Sequence, residues 1–362
     1  MDDAVANGLA SALQAQPASP GLDPERCELA LLGDCMLGRL VDETLEGVPP
    51  AYPWGDTLPI LHRAGWHMCN LECVVSDRGA PALGKAFRFR SAAKNIAVLQ
   101  AARLNAVSLA NNHVLDYGED ALLEMLEILD RAGIAHSGAG ANLEGASRPA
   151  ISEACGQKVA LLSFTDNEPD WEATSTEPGV FFAPINLADR RAQRVLDIVR
   201  GHRLACDLLI VSMHWGSNWG YAPETGHVEF AHALVNAGAD LIFGHSSHVF
   251  RGIEFYKDRP IIYGAGNFVD DYAVDPIERN DQGFIYVVEM RGGIPHGLRL
   301  FPTLIRGCRV NRAEGLQERS IFEKMQGLCA AFHAAARWDP AERCLHVERP
   351  IEEKTGSAQA AV

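Results

Sequence analysis

Apolar residues along this chain come in short unbroken runs, and five of those runs stop at polar side chains. Leu29–Gly33 ends at Asp34, His67–Leu71 at Glu72, and Ala106–Ala110 at Asn111, Asn112 and His113. Leu208–Met213 ends at His214, and the run through Leu241, Ile242 and Phe243 leads past Gly244 to His245 and His248. Short continuous apolar runs read as strands buried on both faces. Helical spacing appears between them: Ala121–Arg131 carries Leu122, Leu123, Leu126 and Leu129, Ala188–Arg200 is charged and amphipathic, and Glu229–Ala237 stops near Gly238. Lys158–Phe164 adds a strand tipped by Thr165, Asp166 and Asn167. Beyond His248 the pattern turns to hairpins at Phe250–Tyr256, Ile261–Tyr263, Phe284–Glu289 and Leu298–Ile305, and a last helix over Leu316–Ala336 is expected to close the fold. This rhythm predicts an α/β fold, a layered sandwich with mixed sheets.

With 362 residues, 47% of them hydrophobic, the chain can bury a large core. No linker divides it, so residues 26–350 are expected to form a single domain, with a disordered leader at 1–25 and a disordered tail at 351–362. The leader lacks the basic start and apolar core of a targeting segment. No uncharged apolar run reaches the ~18 residues of a membrane span. A net charge of −15 argues against nucleic acid or an anionic membrane surface as partner. The nine cysteines, odd in number and without paired spacing, read as reduced thiols. Together these features predict a cytoplasmic protein.

The polar strand tips are the candidate chemistry, because the turn after a strand is where α/β folds place their sites. Asp34 reads as a metal ligand or as a turn residue capping the next helix. Glu72, at the end of a buried strand, needs a partner. His113 and Asp116, three apart across the expected first turn of a helix, can meet as an oriented acid–base pair or as a structural hydrogen bond. His214 opens an aromatic loop in which Trp215, Trp219 and Tyr221, with Asn218 between them, read as a stacking platform for a substrate or as lid packing. His245 and His248 suit ligation or proton transfer. Asp270 and Asp271 follow Gly264-Ala265-Gly266-Asn267, where one carboxylate could orient a histidine. That glycine element has neither Rossmann spacing nor a Walker lysine, so no organic cofactor is expected.

The motifs Gly-Asp-x-Met-Leu-Gly-Arg (ending at Arg39), Asn-Leu-Glu, Ala-Asn-Asn-His-x-x-Asp-Tyr-Gly, His-Trp-Gly, Gly-Ala-Asp-x-Ile-x-Gly-His and Gly-Asn-Phe occur in this order. In that order they resemble the CapA family of poly-γ-glutamate capsule synthesis proteins. The resemblance implies a calcineurin-like four-layer α/β sandwich in which Asp34, Glu72, Asn112, His214 and His245 or His248 surround a divalent metal. Met36 stands where the parent phosphatases have a histidine, and Ser246-Ser247 where the family often has His-Pro. Those departures argue for a single ion rather than the closely spaced pair of a phosphodiesterase. The Trp-Gly-x-Asn-Trp and His-Ser-Ser-His elements are similar to the peptide epimerases of lasso-peptide biosynthesis, which invert a C-terminal Trp.

The resemblance therefore implies a metal-dependent peptide epimerase with a peptide substrate. Asp34, Glu72, Asn112 and His214 would hold the ion. His113 with Asp116, and His245 or His248 with Asp270, Asp271 or Asp34, would move protons. Arg39, Trp215, Asn218, Trp219 and Tyr221 would hold the substrate. An oxygen-rich shell would suit the Ca²⁺ favoured for an epimerase, and several histidine ligands Mn²⁺, Fe²⁺ or Zn²⁺. A metal-dependent hydrolase of γ-glutamyl, peptide or phosphoester bonds, and a non-catalytic polyglutamate assembly protein, are the competing expectations.

Overall fold

Successive residues of the strand Arg26–Cys35 point into two different cores. Leu29 and Leu31 pack with Leu161, Ile210 and Phe243 of a second sheet, whereas Ala30 and Leu32 pack with Val41, Leu122, Met125 and Leu129 of helices. In the second sheet the same alternation sends Leu208 and Ile210 inward and Leu209 and Val211 out, toward Val195, Val199, Phe230 and Leu234. Both central strands are thus covered on both faces, which is why their sequences lack a polar alternation. The layers run helix, sheet, sheet, helix: the four-layer α/β sandwich. The computed structural model describes residues 26–349, and the expected leader and tail lie outside them.

The larger sheet has ten strands, ordered Ala335–Asp339, Cys344–Glu348, Ile294–Ile305, Gln282–Arg291, Arg26–Cys35, Trp66–Leu71, Ala106–Ser108 and Ala135–Ser137, with Asn267–Val269 and Val310–Arg312 off this path. The smaller has six: Ile253–Tyr256, Arg259–Ile262, Leu241–His245, Leu208–His214, Gln157–Thr165 and Ala150–Ala154. Both sheets mix parallel and antiparallel neighbours. Parallel pairing sets Asp34 opposite Asn70 and His214 opposite His245, so the polar tips gather at one end. Gly33 permits the crossing there, since a Cβ on it would lie 1.9 Å from the Gly266 carbonyl oxygen.

Three expectations change. The last helix is Gly315–Ala330, and the chain continues into the hairpin Ala335–Asp339/Cys344–Glu348 at the sheet edge, so a hairpin rather than a helix closes the fold. Its first strand is exposed or half-buried throughout and its second, though mostly buried, is only five residues long, so neither carries a long apolar run. Helix Glu119–Ala132 starts after Asp116, so His113 and Asp116 share a turn rather than a helical first turn. Cys27 and Cys155, 128 residues apart, form a disulfide that ties the first strand to a hairpin turn; seven cysteines among the described residues are free. No helix among the described residues is long and apolar enough to cross a membrane.

Candidate functional site

Asp34, His214 and His245 converge at the ends of three strands from two sheets. One ligand atom from each lies within 4.8 Å of the others. His214 Nδ1 is 3.1 Å from His245 Nδ1, and that nitrogen is 3.6 Å from Asp34 Oδ1. All three side chains are buried. Supporting bonds fix each one: Asn70 Nδ2 donates to Asp34 Oδ1 at 2.7 Å, the Ser246 N–H reaches Asp34 Oδ2 at 3.3 Å, and Ser212 Oγ lies 2.8 Å from His245 Nε2. Ser246 adopts φ +92°, a strained value for a serine at the turn that presents this N–H.

Glu72 and Asn112 bring further acceptors. Glu72 Oε2 and Asn112 Oδ1 are buried and have no hydrogen-bond partner. Buried acceptors are normally satisfied, so unpartnered ones beside a carboxylate and two imidazoles fit a cation. The electrostatics agree. Burial pushes the Asp34 carboxyl up to about 7 and, with the Asp34 charge, holds Glu72 well above the ordinary range. Burial lowers His245 to about 3 and His214 well below its usual value. A divalent ion reverses both penalties by stabilising carboxylates and keeping imidazoles neutral.

Above this floor opens a cleft of about 520 Å³. Of the residues singled out in the sequence, Arg39, Glu72, Asn112, His113, His214, Asn218, Trp219 and His248 line it, together with Lys85, Phe87, Phe89 and Tyr272. His113 is the best-oriented side chain. Its Nδ1 is 2.6 Å from Asp116 Oδ2, its ring stacks on Phe89 with centroids 3.9 Å apart, and its Nε2 is 3.9 Å from Glu72 Oε1. Asp116 is held in turn by the Phe89 N–H at 2.6 Å and by Lys85 Nζ at 2.8 Å. Burial lowers the His113 imidazole to about 4 against the upward pull of Asp116. His248 rests Nδ1 on Asn267 Oδ1 at 3.1 Å, and burial lowers its pKa too. Arg39 leans from the rim on Asp271 at 2.9 Å.

Three anticipated roles do not survive. Trp215 is fully buried, donates its indole N–H to the Tyr263 carbonyl at 3.0 Å, and packs in the outer helical core. Strand alternation explains this: His214 faces the site, so Trp215 faces away. Tyr221 also misses the cleft, donating to the Glu278 carbonyl and packing edge-on against Phe250. Asp270 forms no pair with a histidine; its Oδ1 accepts the Tyr272 N–H, and it lines an adjoining cavity of about 350 Å³. His245, expected either beside a metal or as a proton carrier, is buried with Asp34 and His214 in the group that could hold an ion.

The supports that were missed are mostly amides. Asn111 donates to Asn70 Oδ1 at 3.0 Å and to the Leu71 carbonyl at 2.9 Å, and its own Oδ1 accepts the His113 N–H at 3.0 Å. Asn70, Asn111 and Asn267 all sit in motifs at strand tips, a signal that was present. Lys85, Phe87 and Phe89 lie in an irregular loop with no periodic signal.

Residues 28–272 match the family described as "Bacterial capsule synthesis protein PGA_cap". The chain belongs to this family. Among its relatives, a "Probable polyglutamine synthesis accessory protein" of Mycobacterium tuberculosis is 34% identical over 338 residues, covering 80% of this chain and 88% of that protein. The capsule biosynthesis protein CapA of Bacillus anthracis is 28% identical over 251 residues, covering 68% of this chain and 60% of CapA. A solved structure of a hypothetical protein from Thermus thermophilus aligns with a TM-score of 0.45 at 14% identity, covering 76% of this chain and 98% of that one. The Asp34, His214 and His245 cluster and the His113–Asp116 pair of this PGA_cap protein all fall inside the matched segment.

Proposed function

We propose that this PGA_cap protein is a metal-dependent peptide epimerase that inverts the Cα of a C-terminal residue, Trp fitting best. One observation carries the reading: two histidines line the same cleft, each with Nδ1 engaged by a side-chain oxygen, so that Nε2 is the nitrogen left for substrate. Inversion needs a base on one face of Cα and an acid on the other. Both partners favour a protonated ring, the Asp116 carboxylate at His113 more strongly than the neutral Asn267 amide at His248, while burial opposes the charge on each. His248 Nε2 therefore takes the α-proton and His113 Nε2 returns one to the opposite face, with the roles exchanged in the reverse direction. Lys85 and Arg39, which line the cleft while paired to Asp116 and Asp271, would meet the carboxylate of a C-terminal residue, and Trp219, Phe87 and Tyr272 its aromatic side chain.

A divalent ion held by Asp34, His214 and His245, with Glu72 and Asn112 beside it, would supply positive charge that acidifies Cα–H next to a carbonyl. Two imidazoles in this donor set favour Mn²⁺, Fe²⁺ or Zn²⁺ over Ca²⁺. The unpartnered oxygens of Glu72 and Asn112 also suit a positioned water, which favours hydrolysis as the second reading. The names of the relatives keep an accessory role in polyglutamine synthesis or capsule biosynthesis in view. Chiral analysis after incubating metal-loaded protein with a peptide ending in L-Trp separates the three. D-Trp at unchanged peptide mass supports inversion, shorter products support hydrolysis, and an untouched peptide supports an accessory role.

A further inference from the structure

Four consecutive carbonyls, from Ser217 to Gly220, all accept hydrogen bonds from the short segment His248–Arg251. Arg251 Nη2 donates to the Ser217 carbonyl at 2.9 Å and to the Trp219 carbonyl at 3.4 Å, and Arg251 Nε donates to the Gly220 carbonyl at 3.0 Å. The His248 N–H takes the remaining one, the Asn218 carbonyl, at 2.8 Å. The Ser217–Gly220 loop is thus clamped from outside, and it carries Asn218 and Trp219 into the cleft.

Arg251 is an unusual choice of clamp. Its side chain is 1% exposed, and it forms no ion pair among the described residues. Glu224 and Asp166 lie near enough to favour its charge but not to pair with it, and a buried arginine is costly unless its donors are spent. Here they are spent on loop carbonyls, which need the planar fork of a guanidinium rather than the point charge of an ammonium. The neighbouring backbone is shaped to admit the stem: a Cβ on Gly264 would lie 3.1 Å from Arg251 Cγ. At the far end of the clamp the Trp219 ring meets the His248 ring edge-on, centroids 5.5 Å apart.

We infer that Arg251 is a positioning residue that fixes Trp219 and Asn218 against His248, so that substrate platform and proton-transfer histidine move as one unit. The inference rests on reading this cleft as the substrate site. It requires no contact between Arg251 and substrate or metal.

The test compares Arg251→Lys and Arg251→Met with the wild type, using the full chain loaded with Mn²⁺. Amide hydrogen exchange over residues 216–221 should quicken at least about tenfold in both variants, with the strands unchanged and the bound Mn²⁺ per chain unaltered. On a Trp-ended peptide, KM should rise about tenfold while kcat falls far less, and lysine should not rescue either readout. Exchange that quickens evenly across the protein, or a lysine variant indistinguishable from the wild type, overturns the inference. If Arg251→Met fails to fold, Arg251→Lys alone decides it. A wild type that converts no peptide contradicts the epimerase reading, and the exchange data still decide the clamp.

Discussion

His214 and His245 end adjacent parallel strands in register, and their Nδ1 atoms face each other at 3.1 Å. Two imidazole nitrogens at that distance share either a proton or an ion. Asp34 Oδ1 lies 3.6 Å from the same His245 nitrogen, so an ion held there would satisfy all three. Ser212 at the far nitrogen of His245 then accepts Nε2–H and holds the ligating tautomer.

Removing a ligand should therefore remove the ion. Asp34→Ala and His245→Ala are expected to lose stoichiometric Mn²⁺ or Zn²⁺, measured by elemental analysis after dialysis. Ser212→Ala should keep the site but bind about 10–100-fold more weakly by calorimetry.

Asp270 gives a pH signature. Burial raises its carboxyl from an ordinary 3.8 to about 7, so the folded state holds a proton that the unfolded chain has released. Folding stability contributed by this group is full below about pH 4, falls as pH rises toward 7, and is level above. Asp270→Asn has no such loss. Its stability relative to wild type should climb across that window by a few kcal/mol, since each pH unit is worth about 1.4 kcal/mol. Denaturant melts of metal-free protein at pH 4, 5.5 and 7.5 read this directly; a pH-independent difference contradicts it.

The two tryptophans of the His214 loop should behave oppositely. Trp219, 43% exposed at the cleft, should cost about tenfold in peptide affinity as Trp219→Ala and little stability. Trp215, fully buried, should cost about 3–5 kcal/mol in stability as Trp215→Ala, because it leaves a cavity in the outer core.

The disulfide closes a loop of 128 residues. Cys155→Ser should lower stability by about 2–5 kcal/mol in chemical denaturation, and reductant should do the same to the wild type while leaving Cys155→Ser unchanged.

Much of this was legible in the sequence for a simple reason. Strands buried on both faces leave unbroken apolar runs, and the polar residue that breaks each run is the one that reaches the site, as Asp34, His214 and His245 do. Alternation also places Trp215 on the wrong face, a rule available from sequence and outweighed by its aromatic neighbours. Other features had no local signal. Lys85 and Phe89 come from a loop without periodicity, and Cys27 finds Cys155 only through the stacking of two sheets. His248 takes Asn267 rather than Asp270 because the Asn267–Val269 strand pairs beside Asp34, a register that no residue spacing encodes.

Proton exchange at Cα by His113 and His248 is read most directly by deuterium. Metal-loaded protein incubated in D₂O with a peptide ending in L-Trp should yield intact peptide one mass unit heavier, with the label at Cα and the residue largely inverted. Asp116→Asn should slow that incorporation about 10²–10⁴-fold. Intact, unlabelled peptide recovered from active-site-complete, metal-loaded protein would contradict proton exchange by these two histidines.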